Sequence, residues 1–344
     1  MGLQRSDMTR ISVIIVNYGT AGLAGEAVET ILARDHGGRT VDIHLVDNGS
    51  PGDDAAILRR AHAERDWGDR VTLHLERENH GFGRGNNVVL TALAGASAQP
   101  DYVFFLNPDA RLVNEAVAVL ATFLDENPGT VAAGAAVLRP DGTRVSAAFR
   151  FPGPMSEFIG MASSGLFNRL FPGREVALPP ETERRPVDWV SGAAFMVRFP
   201  ALLEVGFFDP DFFLYFEEAE LMWRLHGTGQ SVWYVPEAKV EHVAGAATGM
   251  RGGKHVSRAK PGYWYDSWRL YHVKTRGVGA ARMAATLSLV GAAINLPLSA
   301  VRRKPSNVPA RFFRDFGRNV LKPLFLGDPL LARPDGRTVK AAAR

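Results

Sequence analysis

Residues 11–16, Ile-Ser-Val-Ile-Ile-Val, make an almost unbroken β-branched run. Such a run suits a strand covered on both faces, as in a parallel sheet. It stops at Asn17-Tyr18-Gly19, and a helical pattern follows over about 21–33. A second apolar strand, 41–46, stops at Asp47-Asn48-Gly49-Ser50. The cycle then repeats, with a helix over about 53–65, a strand at 71–75, a glycine-rich stretch at 79–87 and a helix to about 96. A fourth strand, 102–106, ends at Asn107-Pro108-Asp109. This alternation predicts an α/β fold on a mainly parallel, Rossmann-like sheet flanked by helices. Open sheets of this kind take ligands beyond the carboxyl ends of their strands. Asn17, Tyr18, Asp47, the glycine loop and Asp109 all fall at such ends.

A chain of 344 residues with 46% hydrophobic and 22% charged residues has material for a full core and for more than one structural unit. It holds no cysteine, which excludes disulfides, thiolate nucleophiles and zinc–thiolate sites. The first ten residues, MGLQRSDMTR, lack the apolar core of a signal peptide, so a cytoplasmic location is expected. Charge is unevenly spread. Residues 1–249 hold 21 Lys/Arg against 32 Asp/Glu, whereas residues 250–344 hold 19 against 4. A basic C-terminal region on an acidic body points to an anionic partner for that region.

Three motifs carry chemistry or its imitation. Gly81, Gly83 and Gly85 are spaced G-x-G-x-G, but Asn86 stands where a dinucleotide fingerprint needs its last glycine, and the loop follows the third strand rather than the first. Hydride-transfer chemistry is therefore not expected, although backbone N–H groups of such a loop can approach phosphate. Asn107-Pro108-Asp109 reads as a turn or, at the end of a buried strand, as a carboxylate placed for a hard divalent cation. His242 reads as a structural imidazole or as a further metal ligand. Asp141-Gly142 predicts a hairpin turn, and residues 151–180, rich in Pro, Gly and Ser, read as a mobile connection or lid.

The stretch 189–229 combines a small-residue turn, Ser191-Gly192-Ala193, with an aromatic run from Phe207 to Phe216. Glu217, Glu218 and Glu220 then open an apolar helical pattern at Leu221, Met222 and Leu225. Acidic residues in a first helical turn are ordinary helix-start chemistry. Carboxylates held against aromatic walls also tend to have raised pKa values and to serve as general bases.

Taken in series, VIIVNYGT, LVDNGS, NHGFGRGNN, FFLNPDA, WVSGAAFMVR and GFFDPDFFLYFEEAELMWRL resemble the inverting family-2 glycosyltransferases of GT-A fold. The resemblance covers roughly residues 10–275 and is greatest to the rhamnosyltransferases of bacterial cell-wall and surface-polysaccharide assembly. It implies transfer of a sugar, foremost L-rhamnose from dTDP-L-rhamnose, onto a lipid-linked saccharide such as polyprenyl-diphosphate GlcNAc. A UDP-hexose or UDP-galactofuranose donor on the same fold is the alternative, and a catalytically silent nucleotide-binding scaffold is the reading from another class. By the resemblance Asp47 would bond the nucleotide base, with Asn17 and Tyr18 in the same pocket. Gly81, Gly83 and Asn87 would lie against the nucleotide and its phosphates, with Asn107 nearby. Asp109 would bind Mg²⁺ or Mn²⁺ on the diphosphate, with His242 as second ligand. Trp189, Ser191 and Gly192 would line the acceptor and donor-sugar side, supported by Glu220, and Arg224 would approach the leaving diphosphate. Glu218 would be the base, with Glu217 as the alternative. The sequence departs from the family pattern in having Asn107 in place of a first aspartate and E-E-A-E in place of E-D-x-D.

The catalytic domain is drawn at residues 1–245, with a basic, partly amphipathic helical region at 246–344. Residues 263–276, YWYDSWRLYHVKTR, mix aromatic and cationic side chains as at a membrane–water interface. Residues 283–301 are uncharged but contain Asn295 and Pro297, which fits an interfacial or core-packed helix better than a spanning one. Basic residues interleaved with Phe312, Phe313 and Phe316 follow. Peripheral contact with the inner face of the membrane is expected, with oligomer packing as the alternative and no nucleic-acid partner.

Overall fold

The computed structural model describes residues 8–243 and 259–332. The boundary drawn after residue 245 falls outside the described residues. In chain order the first half comprises β1 (Arg10–Asn17), α1 (Ala21–Leu32), β2 (Thr40–Asn48), α2 (Asp54–Glu64), β3 (Val71–Glu76), α3 (Phe82–Ala94), β4 (Tyr102–Leu106), β5 (Ala110–Leu112), α4 (Ala116–Glu126) and β6 (Thr130–Leu138). The short strands β7 (Arg144–Val145) and β8 (Ala148–Phe149) come next, followed by helices α5 (Pro154–Ala162) and α6 (Gly165–Leu170). Then come β9 (Arg185–Val187), β10 (Trp189–Val190), β11 (Ala194–Arg198), α7 (Phe199–Val205), α8 (Glu217–His226) and β12 (Ser231–His242). The chain closes with α9 (Gly262–Val301), α10 (Phe312–Phe316) and α11 (Lys322–Leu326).

These elements form two compact units. The first, residues 1–149, 178–208 and 221–251, is built on a sheet whose main path runs β3-β2-β1-β4-β11-β6-β12-β5. Its first four strands are parallel, as the alternation predicts. The sheet as a whole is mixed, because β11 lies antiparallel between β4 and β6, and β5 antiparallel to β12. β1 is buried from Ile11 to Asn17 and β4 along its whole length. Each fully buried Phe of β4 stabilises the fold by about 1.5–3 kcal/mol relative to an exposed one. α1 covers this core with Ala24, Ala27, Val28 and Ile31, one stripe at the 3–4 spacing. The Asp141-Gly142 turn joins β6 to β7 as expected, with Val137 opposite Val145.

The second unit comprises residues 150–177, 209–220 and 252–344. Residues 151–180, whose composition reads as a mobile connection or lid, carry two helices. Residues 154–162 form α5 and 165–170 form α6, and α9 offers a stripe of small residues onto which α5 packs. Gly291 of α9 runs so close to α5 that an added Cβ would stand 2.5 Å from the Phe158 carbonyl oxygen. α9 breaks at Gly277, whose backbone leaves helical geometry (φ 81°, ψ 165°). Its first half is a core element rather than a membrane-interface belt: Tyr265 and Trp268 are buried around Phe312 and Phe316, and Tyr271 is buried against Phe216. Even Arg269 is fully buried. Its guanidinium pairs with Asp266 at 3.2 Å and donates to the carbonyl oxygens of Asn319, Pro329 and Leu331, fastening the last described segment to α9.

Candidate active site

In the first unit, parallel register sets Asn17 of β1 beside Asp47 of β2. Asn17 is fully buried, and its Nδ2 donates to Asp47 Oδ1 and Asp54 Oδ1, each at 3.1 Å. Its Oδ1 accepts from the Thr20 backbone N–H at 3.0 Å and the Thr20 hydroxyl at 2.9 Å. Ser50 Oγ donates to Asp47 Oδ1 at 2.5 Å and accepts from the Gly19 N–H. Asn17 thus holds Asp47 from behind, its own polar atoms engaged within the protein. Tyr18 follows at the strand end, half-buried.

The glycine loop is set by side chains of its neighbours. Asn48 Nδ2 donates to the Gly81 carbonyl at 3.0 Å, and the Gly81 N–H donates to Asn79 Oδ1 at 2.8 Å. Gly85 lets α3 lie on β1, since a Cβ there would stand 2.9 Å from Val16 Cγ1. A Cβ on Gly83 would meet that of Phe208 at 3.0 Å. Asn87 clamps the Phe208 backbone from both ends of its amide, donating to the carbonyl at 2.8 Å and accepting from the N–H at 3.1 Å. Both functional groups of Asn87 are thereby committed to that loop.

The turn after β4 is closed by the Ala110 N–H donating to the Asn107 carbonyl. It delivers Asp109 to β5, which pairs with the end of β12 so that His242 faces Ala110. His242 Nε2 lies 2.9 Å from Asp109 Oδ1 and 3.4 Å from Asn107 Nδ2. Asp109 is buried and His242 nearly so. Among the described residues no group of three or more acidic or histidine side chains is arranged to hold a metal. One carboxylate with one imidazole still suits a divalent cation whose other ligands are diphosphate oxygens and water. Trp189 stacks on Phe149, ring centres 4.1 Å apart, and Ser191 Oγ accepts from the Ala193 N–H, which shapes the turn at Gly192. Arg224 Nη1 donates to the Val205 carbonyl at 2.6 Å, capping α7.

The acidic triplet opens α8 within the second unit. Tyr215 and Phe216, immediately before it, both have left-handed backbone (φ 72° and 68°). Two consecutive aromatic residues in that region cost on the order of 1–3 kcal/mol each and persist only where their surroundings fix them. Here the surroundings are the start of α9. Ser267 Oγ donates to the Leu214 carbonyl at 2.9 Å, Tyr263 lies against Tyr215 and Phe213, and Phe216 packs on Trp264 and Tyr271. Glu217 and Glu220 are buried. Glu218 keeps part of its side chain exposed, but its Oε2, like that of Glu217, is buried with no hydrogen-bond partner among the described residues. Burial raises both carboxyl pKa values, and the adjacent Glu218 charge raises that of Glu217 further, well above the usual range.

Sequence reading missed Ser50, Asp54, Asn48 and Lys274, which support the residues it singled out. Only Ser50 and Asn48 carried a signal, since they flank Asp47 in the same strand-end motif.

Residues 12–171 match the family model described as glycosyl transferase family 2. The chain carries a family 2 glycosyltransferase domain. It is similar to the N-acetylglucosaminyl-diphospho-decaprenol L-rhamnosyltransferase of Mycobacterium tuberculosis, with 29% identity over 231 residues, 64% of this chain and 72% of the relative. Rhamnosyltransferase WbbL of Escherichia coli is 26% identical over 169 residues, 48% of this chain and 61% of the relative. The solved structure of the mannosyltransferase PcManGT from Pyrobaculum calidifontis, in complex with GDP-Man and Mn²⁺, superposes with a TM-score of 0.53 at 16% identity. That match covers 92% of this chain and 88% of the other. The glycosyltransferase has the GT-A fold, with a mixed, mostly parallel sheet and a helical C-terminal region.

Proposed function

We propose that this glycosyltransferase moves L-rhamnose from dTDP-L-rhamnose to a hydroxyl of a lipid-linked saccharide, of the polyprenyl-diphosphate GlcNAc type. The observation that carries the transfer chemistry is the pair of buried carboxylate oxygens on Glu217 and Glu218 that have no hydrogen-bond partner among the described residues. The choice of sugar and acceptor is supported by the names of the two relatives. In this reading Asp47, braced by Asn17 and Ser50, recognises the base of the nucleotide. Asp109 and His242 hold Mg²⁺ or Mn²⁺, which when bound neutralises charge on the diphosphate. Glu218 is the base. Part of its side chain is exposed whereas Glu217 is buried, so Glu218 is the one an acceptor hydroxyl can reach. The Glu218 carboxylate takes the proton of the acceptor hydroxyl as its oxygen bonds to the anomeric carbon and the nucleoside diphosphate departs from the opposite face. A single displacement of this kind inverts the anomeric configuration.

The test is a thermal-shift series with dTDP, UDP and GDP, each with Mn²⁺ and with EDTA, followed by transfer to a polyprenyl-diphosphate GlcNAc acceptor. A metal-dependent shift largest for dTDP, with rhamnose transferred, is expected. A larger shift with UDP would replace the donor, and no shift with any nucleotide would overturn the reading.

A further inference from the structure

Between α6 and the end of α9, the second unit is hollowed by a cleft of about 700 Å³. Arg169 of α6 lines it, together with Arg302 and Lys304 from the turn that ends α9. None of its described lining residues is acidic, and none of the three cations is in an ion pair among the described residues.

The frame of the cleft is fixed by hydrogen bonds. Asn295, itself buried, donates to the Ala162 carbonyl at the end of α5 and accepts from Ser299 Oγ at 2.9 Å and Ser306 Oγ at 2.6 Å. Asn307 Nδ2 donates to Ser163 Oγ at 2.7 Å, and Arg302 Nη2 to Ser164 Oγ at 3.1 Å. These bonds pin the α5–α6 corner to the turn after α9. The cations around the cleft therefore sit on a fixed frame with no anion among its described walls. Such an arrangement is complementary to a phosphate group.

The rim identifies the phosphate carrier. Leu166 and Leu170 on α6 are 59% and 60% exposed, and Val301 is 82% exposed. Along the outer face of α9, Met283, Val290 and Leu296 are exposed too, while its small residues Ala281, Ala284, Ser288 and Ala292 are buried. Three larger apolar side chains in the second half of this helix thus face outward. A free phosphate has no use for an apolar rim, whereas a lipid bilayer presents phosphate above hydrocarbon.

We propose that this cleft binds the phosphate of a membrane lipid headgroup, with Leu166, Leu170 and Val301 entering the apolar layer beside it. The inference stands apart from the proposed sugar donor and acceptor, because vesicle binding is measured with neither present. The full chain is sedimented with phosphatidylcholine vesicles with and without phosphatidylglycerol, and inorganic phosphate is tested separately by thermal shift. Binding to the anionic vesicles is expected, weakened about a hundredfold in R169A/R302A/K304A if each cation contributes as basic residues do at such surfaces. Leu166→Ser with Leu170→Ser should weaken vesicle binding while preserving any shift with phosphate. All five residues are exposed, so the variants should fold, and an unchanged circular dichroism spectrum verifies it. Should the triple variant bind vesicles as the parent does, the cleft is not the site. Stabilisation by inorganic phosphate without vesicle binding would assign the cleft to a soluble phosphate and overturn the lipid.

Discussion

Lys274 Nζ stands 2.6 Å from Asp209 Oδ2, and the same distance from Asp211 Oδ2, near the ring of Phe212. Burial alone would lower the pKa of this lysine, but the hydrogen bonds and charges of the two aspartates outweigh it and raise the pKa. The ion pair ties α9 to the turn that leads into Tyr215, Phe216 and the glutamates of α8. Lys274→Met would leave the two carboxylates without their shared cation. Since all three groups are partly exposed, the expected loss is modest, about 1–2 kcal/mol. Urea titration should show that loss, and kcat should fall more than KM rises, because the left-handed turn before the proposed base loosens. Lys274→Arg should restore most of both. An unchanged urea midpoint would mean that the turn is held by its aromatic contacts alone.

Glu218→Gln should lower kcat by about 10²–10⁴, the usual contribution of a general base, with KM for the donor little changed. In the unmodified enzyme the acid limb of the kcat/KM profile should lie above the usual carboxylate range, because burial raises the Glu218 pKa. Glu217→Gln should retain most of the turnover and leave that limb near its place, because burial rather than the Glu217 charge raises the Glu218 pKa. Greater damage from Glu217→Gln than from Glu218→Gln would exchange the two roles.

Much of the sheet is legible from sequence because β1 and β4 are buried and apolar, β2 is buried over its last four residues, and each ends on a polar turn. β11 is harder to place. Ala194-Phe195-Met196-Val197 reads as a buried strand, but nothing in it specifies antiparallel pairing between β4 and β6. Asp109 and His242 are 133 residues apart, and only the pairing of β5 with β12 brings them to 2.9 Å. The aromatic and cationic stretch 263–276 has the composition of an interface and the burial of a core. Composition could not separate the two, because the distinction rests on Phe312 and Phe316 packing against it from nearly fifty residues away. Asn87 reads as a loop residue poised for phosphate, yet its partner is the Phe208 backbone, 121 positions later.

That clamp gives Asn87 a measurable signature. Asn87→Ala removes two hydrogen bonds and leaves the N–H and carbonyl of Phe208 without them, at a cost of about 1–3 kcal/mol. A chemical-denaturation midpoint should fall accordingly. An unchanged midpoint combined with a raised KM for the donor would reassign Asn87 to direct contact with the nucleotide.

Asp109→Asn should weaken the apparent Mn²⁺ affinity by at least about tenfold, because it removes the carboxylate of the proposed two-residue donor set. His242→Ala should weaken it less, imidazole being the poorer ligand for a hard cation. Both are read from the Mn²⁺ concentration giving half the dTDP-dependent thermal shift. If neither variant alters that concentration, the cation is held elsewhere.

The raised pKa of Glu217 also fixes how stability should vary with pH. In the unfolded chain this carboxyl loses its proton near its ordinary value of 4.5, whereas in the folded protein it keeps it to a higher pH. Between those two values the folded state binds more protons than the unfolded one, so stability falls as pH rises through that window. Below pH 4.5 both states are protonated and the group adds no pH dependence. Glutamine cannot ionise, so Glu217→Gln should be increasingly more stable than the parent as pH is raised, and the two melting curves should draw together towards pH 4.5. Glu218 titrates in the same sense in the parent, so the variant should retain a reduced slope rather than none. Differential scanning fluorimetry across this range decides the matter. A difference in melting temperature that is constant with pH would show that Glu217 ionises in the folded protein as it does in water, and would remove the protonated neighbour from beside the base.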